Sequence, residues 1–107
     1  IVTPSAHNEN VPLLLAWEPG ATSGMAGAQI TASSLVAEMR SRAQAHATMS
    51  IPTNGGNQDV VSMGTLAARA AYEQTERLAA VLAILSLVAA QWNFLREQGR
   101  VAGTVAP

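Results

Sequence analysis

Hydrophobic and polar positions divide this chain into blocks with different patterns. Residues 1–22 place Pro4, Pro12 and Pro19 among Gly, Asn, Ser and Thr, and only Leu13-Leu14-Leu15-Ala16-Trp17 forms an apolar run. Proline has no amide hydrogen to donate, so this block predicts an irregular connection with one short buried stretch. Over residues 23–47, Met25, Ile30, Leu35, Val36 and Met39 sit among many alanines. Alanine is the strongest helix former, and a helix is expected here. Ser23 is placed to cap its start, and Arg40 and Arg42 lie where cations favour a helix end, with fraying after Arg42. Residues 48–61 hold Pro52 and the Gly55-Gly56 pair, which exclude a regular helix and leave a loop rich in side-chain amides. Residues 62–98 read as one long helix. Arg69, Glu73, Glu76 and Arg77 occupy its first part, and the eighteen residues Leu78 to Leu95 then carry no charge. Gly99 and Gly103 end the pattern, and residues 99–107 read as a tail.

The fold class expected is therefore all-α, two helices joined by a loop. A helix from near Ser62 to Glu97 is roughly 54 Å long at about 1.5 Å per residue. A compact domain of 107 residues has a radius of gyration of roughly 13 Å and is about 35 Å across. The remaining residues cannot cover such a rod. The uncharged stretch approaches the length of a membrane span. Ser86, Gln91 and Asn93 interrupt it, however, and its alanines lower its hydrophobicity, so a place in the centre of a helix bundle is the better reading. Its partners are then helices outside this chain, not lipid, and the chain reads as a piece of a larger helical protein.

Composition narrows the function by exclusion. The chain is 49% hydrophobic and 12% charged, with a formal net charge of -1. That rules out a disordered segment, and it lacks the basic surplus of a nucleic-acid binder. Without cysteine there is no disulfide scaffold and no thiolate chemistry. The start at Ile1 shows no basic-apolar-small pattern, so no targeting peptide is expected and a trimmed or internal start is. His7 and His46 have no carboxylate at helical spacing, and no metal site is expected. No carboxylate pair, phosphate loop or dinucleotide fingerprint occurs. Gly24 and Gly27, at the start of the first helix, suit close helix packing better than anion binding. What remains is the amide cluster Asn54, Asn57 and Gln58 beside Asp59. Each amide offers a donor and an acceptor. The cluster can cap the next helix and satisfy loop carbonyls, or it can cradle a zwitterion or a cofactor carbonyl. Spacing alone leaves both uses open.

The run Ser50-Ile-Pro-Thr-Asn-Gly-Gly-Asn-Gln-Asp-Val-Val-Ser-Met-Gly-Thr65 resembles the Asn-Gln-Asp loop of the aromatic amino acid ammonia lyases and aminomutases. These enzymes carry a methylidene-imidazolone (MIO) prosthetic group. The segment Ser23-Gly-Met-Ala-Gly-Ala-Gln-Ile-Thr-Ala, with Leu35-Val-Ala-Glu-Met-Arg40, is similar to that family's Ser-Gly-Phe-Met-Gly-Ala-Gln-Val-Thr-Ala helix. Asn10-Val-Pro-Leu-Leu-Leu, Leu82-Ala-Ile-Leu and Leu95-Arg96 extend the likeness over roughly residues 8–97. Two departures stand out. Met25-Ala26 replaces Phe-Met, and residues 41–49 lack the family's Gly-Pro-Ala-Ser pattern.

The resemblance implies a cytoplasmic, mostly helical homotetramer with active sites built from more than one subunit. It implies that Asn54, Asn57 and Gln58 line the substrate and MIO pocket, with Ala26 and Met25 near its wall. Gln58 is Glu in the histidine lyases, and Asn54 is Glu in the plant phenylalanine lyases, so the pair resembles the tyrosine lyase and aminomutase branch. The Ala-Ser-Gly that cyclises to MIO does not occur in this chain. Thr22-Ser23-Gly24 aligns with an ordinary helix start instead of that triad. The resemblance thus implies a segment of an aromatic amino acid ammonia lyase or 2,3-aminomutase, inactive by itself. Its partner is the rest of the same enzyme or another chain that carries the MIO. The alternative is a non-catalytic helical assembly subunit or a degenerate relative.

Overall fold

The structure is a computed structural model that describes residues 11–57 and 60–101. It is all-α. A 3-10 turn at Leu13–Leu15 precedes α1 (Ala26–Arg42), and further 3-10 turns at His46–Thr48 and Asn54–Gly56 lead into α2 (Gly64–Glu97). Among the described residues there is no strand, and Pro19 and Thr22 form an isolated bridge.

α1 begins later than its alanine content suggests, and Ser23 does not cap it. Its N-cap is Met25, with no side-chain cap. The Met25 N–H instead donates to the Leu14 carbonyl at 2.8 Å, so the preceding segment supplies the acceptor that a capping side chain would. This close approach depends on Gly24, which has φ +50°. A Cβ there would stand 2.4 Å from the Leu14 oxygen and 2.8 Å from the Ala16 nitrogen. Arg40 and Arg42 occupy the last turn of α1, where cations offset the helix dipole.

The 34 residues of α2 make a rod of roughly 51 Å. Its end is closed by two bonds: the Gly99 N–H donates to the Arg96 carbonyl at 3.0 Å, and the Arg100 N–H to the Leu95 carbonyl at 2.9 Å. Gly99 turns left-handed at φ +67° to permit them.

The two helices run antiparallel. Arg77 of α2 donates to Glu38 of α1 at 2.7 Å, and Gln29 of α1 shares a cleft with Val88 of α2. The core gathers at one end, where the proline-rich segment folds back on the second half of α2. Leu15 and Leu95 are fully buried there with Val88 and Val101, and Val11, Met25, Ile84 and Trp92 pack around them. Ile84, Val88 and Leu95 share one face of α2 by helical spacing. Gln91, on the same face, donates to the Leu15 carbonyl at 3.1 Å. Arg100 lies 3.9 Å above the Trp17 ring and also donates to the Trp17 carbonyl, while the Trp17 and Phe94 rings sit 5.4 Å apart.

Much of the rest of α2 is exposed. Leu78, Leu82 and Leu85 lie on one flank of the buried stripe, Leu87 and Phe94 on the other, and all are exposed. An 18-residue window of this helix has mean hydropathy 1.9, with only 11% of it buried within the chain. By length and composition α2 could cross a membrane. The chain measures 71 × 32 × 24 Å with a radius of gyration of 21.7 Å, against the roughly 13 Å of a compact domain of this length.

Candidate functional site

The amide loop lies at the opposite end of the molecule from the core. Its geometry follows from its sequence. Thr53 is extended, and Asn54, Gly55 and Gly56 then all take positive φ, at 56°, 64° and 87°. Glycine enters this region freely, and asparagine is one of the few side chains that tolerate it, so Asn-Gly-Gly can make this turn where bulkier residues cannot. The Gly56 N–H donates to the Thr53 carbonyl and the Asn57 N–H to the Asn54 carbonyl, both at 3.2 Å. Below the turn, the Ser50 hydroxyl donates to the Val61 carbonyl at 2.9 Å and joins the two ends of the loop.

Asn54 and Asn57 are exposed, and their side chains make no hydrogen bond among the described residues. Neither caps α2, whose N-cap Met63 has no side-chain cap bond. The Gly64 N–H is instead met by the Ser62 hydroxyl at 3.3 Å. Helix capping therefore does not account for Asn54 or Asn57. Gln58 and Asp59 lie outside the described residues. No charged side chain occurs between residues 50 and 57. A neutral surface with open amide donors and acceptors suits hydrogen bonding to a carbonyl-bearing heterocycle or a zwitterion, and to that extent the donor set fits MIO.

Met25 and Ala26 stand elsewhere. Met25 packs on the buried cluster around Leu15 and Val88, and Ala26 is the first residue of α1. The 17 residues of α1, a helix of roughly 25 Å, lie between them and the segment that leads to the amide loop. Within one chain the structure does not bring these two sets of residues together.

Backbone proximity accounts for Gly24, whereas Gly27 meets nothing within 4 Å. His46 is half-buried beside Arg42 and Gln74, and the buried Gln74 Oε1 has no hydrogen-bond partner among the described residues. No group of three or more potential metal ligands occurs there, and His7 is outside the described residues.

Charge is concentrated where the helices cross midway. Glu38 accepts from Arg77 at 2.7 Å and pairs with Arg42 at 3.2 Å, while Glu73 pairs with Arg69 at 3.1 Å and Arg42 at 3.8 Å. The Arg77 hydrogen bond holds the Glu38 carboxyl below its usual 4.5, and Glu38 in turn raises Arg77. This network fastens α1 to α2 and carries no visible chemistry. Near the core, an open cleft of about 350 Å³ lined by Gln29, Ala32, Ser33, Val81, Ile84, Leu85 and Val88 is almost wholly apolar.

Two features have no counterpart in the sequence pattern. The Ser50 hydroxyl bond joins residues eleven apart, and nothing in a sequence marks a serine by a distant carbonyl. The Arg100–Trp17 contact spans 83 positions. A tail arginine carries no signal for it.

Comparison with known proteins adds to this geometry. Residues 1–106 match the model of the family described as aromatic amino acid lyase. The chain is 48% identical to a tyrosine ammonia-lyase of Cereibacter sphaeroides over 89% of its own length and 18% of the relative's. It is 49% identical to an MIO-dependent tyrosine 2,3-aminomutase of Streptomyces globisporus over 73% of its length and 14% of the relative's. With a histidine ammonia-lyase of Bradyrhizobium diazoefficiens it shares 43% identity, over 85% and 18% respectively. The chain thus spans less than a fifth of the curated relatives it matches. No solved structure gives a significant match.

Proposed function

The chain belongs to the aromatic amino acid lyase family, and from that premise we propose that it is a segment of an ammonia lyase or 2,3-aminomutase whose substrate is tyrosine. The reaction removes ammonia from the aromatic L-α-amino acid, or returns the amine to the β-carbon. The observation that carries this reading is the amide loop, exposed and without charge over residues 51–57 and free of capping duty at Asn54 and Asn57. Asn54 together with Gln58 supports tyrosine over histidine, because the histidine branch has Glu where this chain has Gln58.

MIO, formed from an Ala-Ser-Gly outside these residues, supplies an electrophile for the substrate amine. The residues of this chain bind and orient. Asn57 and Gln58 hydrogen-bond the prosthetic group and the amine, and Asn54 faces the aromatic substituent. A zwitterion buried without such partners is penalised far more than a neutral polar group, because each unpaired charge loses its hydration. None of these residues transfers a proton, and the segment by itself does not turn over substrate.

The separation of Met25 and Ala26 from Asn54 supports a site assembled from more than one copy, with one chain contributing the loop and another the start of α1. The bare flanks of α2 support the same assembly, a homotetramer with this helix in its central bundle, and the family likeness favours the cytoplasm for it.

The test is to supply the complete enzyme with L-tyrosine, L-phenylalanine and L-histidine. Arylacrylate is followed by absorbance and β-amino acid by chromatography. Consumption of tyrosine with either product supports the reading. Turnover of histidine alone overturns the substrate assignment, and an enzyme that carries the triad but consumes none of the three overturns the function.

A further inference from the structure

Every residue from Ile51 to Asn57 is exposed, so packing does not hold this stretch of the amide loop in place. Its backbone bonds, at 3.2 Å, shape the turn. A tie between the two ends lies below it. Ser50 and Val61 are both half-buried, and the serine hydroxyl donates to the Val61 carbonyl at 2.9 Å. Ser50 follows the 3-10 turn at His46–Thr48, and Val61 leads into α2 at Gly64. The bond therefore joins a half-buried residue before the loop to a half-buried residue at its end. Closing a short loop in this way removes conformations that open chain ends would otherwise sample, and a compact surface loop with its ends held together presents its side chains in one orientation.

We propose that Ser50 is a positioning residue for the active site: its bond to the Val61 carbonyl closes the amide loop and sets where the Asn54 and Asn57 side chains stand. Ser50 does not touch substrate. This rests on the reading that the amide loop serves the active site, and it adds a residue that acts through Asn57. The hydroxyl is the group required, since a carbonyl acceptor needs a donor of that reach. Alanine at this position leaves the half-buried Val61 carbonyl without its partner and lets the loop base open.

The experiment is a double-mutant cycle in the complete enzyme. Ser50→Ala is expected to lower kcat/KM by roughly 3- to 10-fold, the size expected for loss of one neutral hydrogen bond. Ser50→Thr, which keeps the hydroxyl, is expected to restore it. On an Asn57→Ala background, Ser50→Ala is expected to cause no further loss, because the residue through which it acts is gone. Equal losses on both backgrounds, or failure of threonine to rescue, would place Ser50 in general stability and overturn the proposal. If Asn57→Ala itself retains the wild-type rate, the amide-loop reading fails first, and the two failures are thereby distinguished. Should Ser50→Ala not assemble, Ser50→Cys, similar in size and a much weaker donor, replaces it in the same cycle.

Discussion

Replacing Gly24 by alanine tests how the proline-rich segment is joined to α1. The native backbone is left-handed at φ +50°, and the added Cβ would stand 2.4 Å from the Leu14 oxygen and within 3 Å of two Ala16 backbone atoms. An L side chain in this region costs about 1–2 kcal/mol. The obstructing atoms belong to backbone, which cannot swing aside, so the chain must separate and lose the 2.8 Å bond from the Met25 N–H to the Leu14 carbonyl. That loss adds about 0.5–1.5 kcal/mol, for a total of about 1.5–3.5 kcal/mol. Local opening should become roughly 10- to 400-fold more frequent, at tenfold per 1.36 kcal/mol. Amide hydrogen exchange read by mass spectrometry on the complete enzyme would show it. A peptide covering residues 13–28 should exchange faster, while peptides from the middle of α2 should not change. Gly27→Ala is the control: its Cβ meets nothing within 4 Å, and alanine is the better helix former by about 0.5–1 kcal/mol, so exchange there should hold steady or slow. Unchanged exchange in Gly24→Ala, or equal acceleration in both variants, would refute the close-approach argument. Ser23→Ala should keep full activity, because Ser23 precedes α1 and does not cap it.

Gln58→Ala in the complete enzyme should cut turnover strongly and leave the oligomeric state unchanged, and near-normal kinetics would remove Gln58 from the site. Because Arg77 holds the Glu38 carboxyl below 4.5, Glu38 stabilises the fold above that pH, and the benefit disappears as pH falls through its folded-state value. The gap in denaturant midpoint between wild type and Glu38→Gln should therefore narrow below about pH 4.5; a constant gap would count against the interhelical role. Arg100→Gln removes the cation over Trp17 and should cost about 0.5–2 kcal/mol, read as a shift in Trp17 fluorescence and an earlier melt in a Trp92→Phe background. Leu87 is 61% exposed in this chain, so Leu87→Arg should be harmless to the isolated hairpin but should shift the complete enzyme to smaller species by size-exclusion chromatography. A tetramer that survives it would show that no partner helix covers that flank.

Much of the candidate site is legible in the residues themselves. The Gly55-Gly56 pair and Pro52 exclude helix, and Asn54 is a residue that can turn left-handed, so the position and amide character of the loop follow from residue types. The use of those amides is not legible, because capping and ligand binding ask for the same side chains. The structure removes capping of α2 as the use of Asn54 and Asn57, since its N-cap Met63 has no side-chain cap bond. Ser23 shows the opposite case. Its identity suggests a cap, yet the Leu14 carbonyl does that work from a segment eleven residues before Met25, which no local pattern records.

By itself the sequence determined the helical class, the place of the loop and the excess of apolar surface on the second helix. These are properties of local propensity and of composition, which act within a few residues. Tertiary structure decided the rest. It put the small core at one end, where Leu15 meets Leu95, and the amide loop at the other. It chose Glu38 as the acceptor for Arg77, and it left Leu78, Leu82, Leu85, Leu87 and Phe94 bare on both flanks of one buried stripe. Each of these depends on which distant residues the antiparallel pairing of α1 and α2 brings face to face, and that register is a property of the packed pair.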